Sequence, residues 1–372
     1  MIINMLYRQF YDGFGQQLMI GGVETYIKNL IELFKKNGHE VYVYQFSIVP
    51  FENTFLGATI IGVSPNSKLE HMYKNRIRAM VNESYKRSDP NQDMLVFCTE
   101  NDIIETQYKK VIAIQHGIGW DVHNLKANSL YSVFKYWVVN SKRAFSEYAV
   151  FKKCNMIVCV DYNFINWYRA CIHDDRFNYK VIPNFSVVPK FRTRDDKENI
   201  SIIYARRFQT YRGTRIFAEA ILKIIEKYPN IYVTIAGDGP EEEFLHGKLD
   251  GYKSVTFTRF MPDESIRVHL EYDIAVVPST ASEGTSLSLI EAMAAGCAVI
   301  CTDVGGLTNI IIDRHNGLIV RPDVNELYLA IEKLIKDDVL RRILSKRGYE
   351  TIKDSFDIDT WSKKWMEVVN AL

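Results

Sequence analysis

Twice along this chain, short runs of β-branched residues alternate with longer segments whose apolar residues recur at helical spacing, and few folds accept that rhythm. From Gly21 the sequence GGVETYIKNLIELFKKNGHEVYVYQF puts Val23, Tyr26, Ile27, Leu30, Ile31, Leu33 and Phe34 on one helical face. It closes at Asn37-Gly38 and runs into a strand around Val41 and Val43. Further strands are expected over residues 94–98, 111–115 and 156–160, with helical stretches between them, the pattern of a parallel sheet. The stretch VIPNFSVVPKFRTRDDKEN, residues 181–199, has two prolines and then a charged, apolar-poor run, which reads as an exposed connector. Beyond it the rhythm restarts. Strands are expected at 200–204, 231–236, 255–257, 274–277 and 298–302, with helices at 215–227 and 286–295.

The 372 residues exceed the roughly 250 to 300 over which one core keeps growing. The expected fold is therefore α/β, with two doubly wound, Rossmann-like domains over residues 1–185 and 186–355. Apolar content of 47%, charged content of 24% and a net charge of +1 describe an ordinary globular protein and argue against a partner such as nucleic acid, whose phosphates would need many cations. The start, MIINMLYRQFYDG, lacks a basic stretch before an apolar core, and its apolar run is far shorter than the ~18 residues of a spanning helix. Six cysteines without a CxxC pair suit reduced thiols, so a cytoplasmic location is expected.

Chemistry concentrates at two strand-to-helix turns of the second half. In SEGTSLSLIEAMAAG, residues 282–296, a Pro-terminated strand passes through small polar residues into a helix that stops at Gly296. The unpaired amides at that helix start suit a phosphate, with small residues letting a ligand approach. Glu283 lies in the loop before the helix, whereas Glu291 sits inside it and can accept from a vicinal diol such as a ribose. On spacing alone a second reading stays open, in which Ser288 and Glu291 form a capping box and Glu283 is solvated. The other turn, ARRFQTYRG, gathers Arg206, Arg207 and Arg212, with Arg215 just beyond, and arginine suits bidentate contact with diphosphate oxygens. In the first half, Gly21 and Gly22 open a helix, either as a phosphate-approach loop or as a plain tight turn. His116, in QHGIGWD, falls at the carboxyl end of a strand, followed by Asp121.

The order ARRFQTYRG, TIAGDGP, VTFTRFMPDESI and VVPSTASEGTSLSLIEAMAAGCAVICTDVGG resembles the retaining GT-B glycosyltransferases of family four, with their Glu-x7-Glu signature at Glu283 and Glu291. The likeness is strongest over residues 202–322, and GGVETYIKNLIELFKKNGHEVYVY is similar to the family's first glycine loop and helix. The resemblance implies a nucleotide-sugar donor between two domains and transfer with retention of anomeric configuration. Arg207 looks like the arginine of the family's G-R-L turn, and Arg212 stands where a lysine usually precedes glycine; both would hold the donor diphosphate. Glu291 would bind ribose, Glu283 the sugar hydroxyls, and the amides of Thr285, Ser286 and Leu287 the distal phosphate. Glu283-Gly284-Thr285-Ser286 replaces the common E-G-F-G, which alters the sugar pocket. Backbone at Phe260 and Met261 would meet the base, with Arg259 where a glycine is usual. His116 would contact the donor sugar, Gly21 and Gly22 would line the donor site, and Asp121 would bind acceptor hydroxyls.

His116, Glu283, Arg207 and Arg212 are thus the expected catalytic set, acting by positioning and electrostatics with no metal and no cofactor. The acceptor class implied is a saccharide or lipid-linked saccharide of the O-antigen or capsule type of cell-surface polysaccharide. A sugar-nucleotide epimerase on the same architecture, or a subunit that only binds nucleotide, are the other readings. The stretch LEHMYKNRIRAMVNESYKR reads as a basic amphipathic helix, either an ordinary domain-surface helix or a contact with an anionic membrane that would make the protein peripheral at the inner face of the plasma membrane. The last helix, within residues 356–372, is expected to cross back onto the first domain.

Overall fold

The computed structural model describes residues 1–19, 21–65, 72–120, 129–172, 178–191, 199–281 and 283–372. The first half builds a sheet from β1 (Ile2–Leu6), β2 (Glu40–Phe46), β3 (Phe51–Phe55), β4 (Ala58–Val63), β5 (Met94–Phe97), β6 (Lys110–Gln115), β7 (Met156–Cys159) and β8 (Tyr179–Val181). Their order is β3-β4-β2-β1-β5-β6-β7-β8, parallel except where β3 turns back antiparallel on β4 at the edge. The helices are α1 (Gly22–Lys36), α2 (Tyr73–Ser84), α3 (Leu130–Phe151) and α4 (Asn163–Cys171). The second half sets β9 (Ile200–Ala205), β10 (Ile231–Ala236), β11 (Val255–Thr258), β12 (Ile274–Val277), β13 (Ala298–Thr302) and β14 (Leu318–Val320) in the order β11-β10-β9-β12-β13-β14. All its pairings are parallel. Around it lie α5 (Thr214–Lys227), α6 (Glu242–Leu249), α7 (Ser265–His269), α8 (Leu287–Ala294), α9 (Val324–Lys336) and α10 (Asp338–Ser355), followed by α11 (Ile358–Asn370).

The chain therefore forms two Rossmann-like α/β units. Strands buried on both faces need continuous apolar runs, and β12 and β13 supply them with every residue buried. In the second sheet the chain winds outward from β9 to β10 and β11, then restarts on the other side at β12. Such a reversal leaves a crevice at the carboxyl ends of the two diverging strands. The loops leaving β9 and β12 are ARRFQTYRG and the Glu283 loop, so topology alone brings the arginines and the glutamate together.

In α1 the residues Tyr26, Ile27, Leu30, Ile31 and Phe34 are buried against the first sheet. The same core receives Trp361, Trp365, Val368 and Val369 of α11, and Trp365 Nε1 donates to the Tyr26 hydroxyl at 2.8 Å. Asp357 begins α11 by accepting from the amides of Asp359 and Thr360, satisfying donors that the first turn leaves open. Where the chain crosses, Ser186 and residues 356–358 lie side by side: Ser186 N donates to the Phe356 carbonyl and Ile358 N to that of Ser186.

β1 is not read as a strand from the sequence, although it is central. Asn4 interrupts its apolar run, and it is tolerated there because its amide donates to the Met94 carbonyl across the sheet. The amphipathic helix read in LEHMYKNRIRAMVNESYKR corrects in one respect. Ile77, Met80 and Val81 of α2 are buried in the first domain's own core, so most of this apolar face is covered, while Met72 and Tyr73 at its start stay exposed; residues 66–71 lie outside the described residues. No helix among the described residues is long and apolar enough to cross a membrane.

Candidate functional site

Glu283 sits at the centre of the crevice, 6% exposed, on the loop between β12 and α8. Arg206 Nη2 lies 3.0 Å from each of its carboxylate oxygens, Ser279 Oγ donates to Oε2 at 2.6 Å, and Arg212 Nη1 also contacts Oε2. Arg206 Nη1 reaches Ser279 Oγ at 2.7 Å, closing a buried network. Burial works to raise the Glu283 carboxyl, but the two guanidinium groups and Ser279 outweigh it and bring it down to about 2. Glu283 is thus an anion held between two cations. Arg212 is delivered by a tight turn at Gly213, whose φ of 76° and whose missing side chain let it pass the Pro278 carbonyl; a Cβ there would lie 1.7 Å from that oxygen.

Of the two adjacent arginines, the one turned into the site is Arg206, and Arg207, selected from the sequence, has an exposed side chain. The reason is the ladder: Arg206 N still donates to the Ala236 carbonyl at 3.0 Å, so Arg206 continues β9 under the shelter of the sheet while Arg207 lies past it. Arg215 is held at the surface by Glu241, and Arg259 by Glu242. The sequence reading gathers Arg206 with the other arginines of this turn without selecting it, and Ser279 it does not name at all.

Glu291, half-buried on α8, accepts from Ser265 Oγ at 2.6 Å, and burial pushes its carboxyl up to about 7 against that hydrogen bond. The capping box is not formed. Ser288 Oγ lies 3.1 Å from Ser286 Oγ instead, and the N-cap residue Ser286 makes no side-chain bond to the helix start. The first amides of α8 are left without a side-chain cap, as an anion site requires. Ser265 opens α7 directly after the loop of Phe260 and Met261, so that loop stands beside Glu291; Met261 N donates to Glu264 Oε2 at 3.0 Å and its side chain is exposed.

The first domain meets this site along one line. Gly284 faces the His116 carbonyl so closely that a Cβ would come within 2.7 Å of its oxygen, and Gly117 lies opposite at φ 113°. His116 Nε2 is 2.9 Å from the Cys98 carbonyl and its ring meets Tyr26 edge-on, with centroids 5.2 Å apart. Burial lowers its pKa to about 4, so the ring is neutral at neutral pH. Tyr26 in turn takes the Trp365 hydrogen bond, so α11 braces the histidine at one remove. Gly22, at the start of α1, points its Cα hydrogen toward α8: a Cβ there would stand 3.6 Å from Leu287 Cδ1. Gly21 adjoins it at the N-cap.

Thr285 does not face the crevice. Its hydroxyl donates to the Val160 carbonyl and accepts from Asn184 N, both at 2.8 Å, and Asn184 Nδ2 donates to the Thr285 carbonyl. The residue expected to alter the sugar pocket is thus a tie between domains, joined by Tyr162 N on Asn309 Oδ1 at 2.9 Å. Asp121 lies outside the described residues.

Residues 189–351 match the family model described as glycosyl transferases group 1. An uncharacterized glycosyltransferase of Methanocaldococcus jannaschii is 23% identical over 381 residues, 94% of this chain and 94% of that protein. An exopolysaccharide phosphotransferase of Streptomyces coelicolor is 29% identical over 206 residues, which span 52% of this chain and 21% of the relative's length. Among solved structures, the Anabaena protein HepE in complex with UDP superposes with a TM-score of 0.73 at 15% identity, covering all of both chains. The fold is GT-B.

Proposed function

We propose that this GT-B chain is a retaining glycosyltransferase, moving a hexosyl unit from a nucleotide-diphosphate sugar to a saccharide or lipid-linked saccharide acceptor in cell-surface polysaccharide synthesis. The group 1 match over residues 189–351, the glycosyltransferase name of the Methanocaldococcus relative and the exopolysaccharide name of the Streptomyces one support the class. The UDP of the Anabaena structure supports a nucleotide donor. The observation that carries the reading is the convergence of Arg206, Arg212 and the uncapped start of α8 on one crevice that also holds Glu283 and is bounded by His116.

In this reading the donor lies along the second domain. The base packs at Phe260 and Met261, Glu291 accepts from the ribose, and the diphosphate lies between the α8 amides of Ser286 and Leu287 and the two guanidinium groups. Glu283 and His116 face the sugar, Gly21 and Gly22 closing the site from the first domain. Arg206 takes the place expected of Arg207. A diphosphate and Glu283 then share the same arginines, so the donor exchanges with an ion pair that is already formed. Charge that develops on the leaving diphosphate is met by these cations and the helix end, and no divalent metal or other cofactor enters the scheme.

The test is incubation with UDP-, GDP- and dTDP-sugars, with and without saccharide acceptors, reading nucleoside diphosphate release and the anomeric configuration of the product. Release that depends on acceptor, with retained configuration, is expected. An altered sugar formed from donor alone would favour an epimerase, and binding without turnover a nucleotide-binding subunit.

A further inference from the structure

Glu291 is the one charged residue of α8, LSLIEAMA, and its carboxylate has one hydrogen-bond partner among the described residues. That partner is Ser265, 4% exposed at the start of α7 and 26 positions away in the chain, whose hydroxyl donates to Glu291 Oε2 at 2.6 Å. A neighbouring ring decides where the serine proton goes. His269, buried one turn further along α7, has its Nδ1 2.7 Å from the Ser265 carbonyl oxygen and 3.5 Å from Ser265 Oγ. A carbonyl only accepts, so Nδ1 carries the ring proton and cannot take the serine's, which is left for Glu291. The Cys297 thiol lies 3.2 Å from the His269 carbonyl oxygen and ties the end of α7 to the turn after α8.

We propose that Ser265 is a positioning residue for nucleotide binding: it fixes the orientation of the Glu291 carboxylate for the ribose diol without touching the nucleotide itself. An ionised carboxylate offers about four lone pairs, so the one that Ser265 occupies leaves both oxygens able to accept from vicinal hydroxyls. The same bond opposes the burial that pushes Glu291 up to about 7, and so enlarges the fraction ionised at neutral pH. Ser265 also directly follows Glu264, whose carboxylate accepts from Met261 N at 3.0 Å. Adjacent residues thereby set the loop read as the base contact and the group read as the ribose contact. This use of Ser265 rests on the proposed role of Glu291, whereas its hold on the carboxylate does not.

Two measurements keep these apart. In the nucleotide-free protein, carbon-13 NMR of the glutamate carboxyls, with Glu291→Gln assigning the resonance, should place the Glu291 midpoint about one pH unit higher in Ser265→Ala and leave it unmoved in Ser265→Thr. Should the alanine variant fail to fold, Ser265→Cys, whose thiol is a weak donor, makes the same comparison. Titration calorimetry then uses UDP and GDP, each beside its 2′,3′-dideoxy form. Ser265→Ala should bind the ribonucleotide roughly tenfold more weakly at pH 7, with much of the loss recovered near pH 9, and the dideoxy form as the wild type does. An unmoved midpoint, or equal losses for the ribose and dideoxy forms, would overturn the proposal. A moved midpoint with nucleotide affinity indifferent to both Ser265 and Glu291 would overturn the ribose role, and with it this use of Ser265.

Discussion

Arg206 grips Glu283 through one nitrogen placed 3.0 Å from each carboxylate oxygen, and both side chains are almost wholly buried. Removing one partner of a buried pair leaves the other uncompensated, a loss of about 3 kcal/mol or more, here softened by Arg212 and Ser279, which stay on Glu283. Arg206→Ala should therefore cost about 2 to 3 kcal/mol of stability and weaken nucleoside diphosphate binding by about tenfold or more. Arg207→Ala, at an exposed position, should stay within ~0.5 kcal/mol and keep its affinity. Chemical denaturation and titration calorimetry on the two variants decide it; equal losses would return Arg207 to the site.

Thr285→Val keeps the volume of its side chain but removes the hydroxyl shared between the Val160 carbonyl and Asn184 N. Two backbone groups then lose a partner at the domain contact, at roughly 1 to 3 kcal/mol for such unsatisfied groups. Because the tie holds the domains rather than the sugar, the variant should melt at lower temperature and show a raised KM for every donor it uses, without a change in donor preference. A switch of preferred donor sugar would instead make Thr285 a pocket residue.

The parallel sheets were legible because strands buried on both faces are written as unbroken apolar runs, as in Ile274–Val277. The meeting of Arg212 with Glu283 was legible too, since both lie on turns at the carboxyl edge of one sheet. The choice between Arg206 and Arg207 was not, because it depends on whether the ladder to Ala236 runs one residue further. The tie that Thr285 makes was not legible for a different reason: its partner Asn184 is 101 residues away and belongs to the other domain. A periodic stripe likewise shows that a helix has an apolar face but not what covers it. That of α2 lies mostly against its own sheet, while on α3 Leu130, Val133, Phe134 and Trp137 lie open.

Glu291 makes stability and donor binding depend on pH in opposite directions. Its folded pKa of about 7 lies above the ordinary 4.5, so its contribution to stability is complete below pH 4.5 and is lost as pH rises through 7. Glutamine cannot ionise, so Glu291→Gln should match the wild type near pH 4 and exceed it by roughly 1 to 2 kcal/mol near pH 8, the partly exposed site being partly screened. A ribose diol binds the ionised carboxylate best, so wild-type donor affinity should climb across the same window, and the variant's should be weak and flat. Thermal melts and donor titrations at several pH values test both halves.

In the proposed reading Arg206, Arg212 and the start of α8 face the leaving group, so turnover should persist in excess EDTA at a rate within about twofold of the untreated protein. The same assay with added magnesium or manganese should show no gain. Loss of activity in chelator, restored by a divalent ion, would sink the metal-free scheme.

His116 carries the opposite sign to Glu291. Its pKa, lowered to about 4 by burial, lies below the ordinary 6.5, so the unfolded chain binds the extra proton first and stability falls as pH drops from about 6.5 to 4. Glutamine in its place can still donate to the Cys98 carbonyl but does not titrate, so His116→Gln should flatten the slope in that window by roughly 1 to 2 kcal/mol. The neutral ring is held between Cys98 and Tyr26; in the proposed reading it contacts the sugar as charge develops, and a positioned group of this kind is worth about a hundredfold in rate. Turnover by His116→Gln should drop by about that factor with nucleoside diphosphate affinity unchanged, because the proposed diphosphate site lies on the other domain. A variant that lost affinity and turnover together would place His116 in the architecture of the cleft rather than against the sugar.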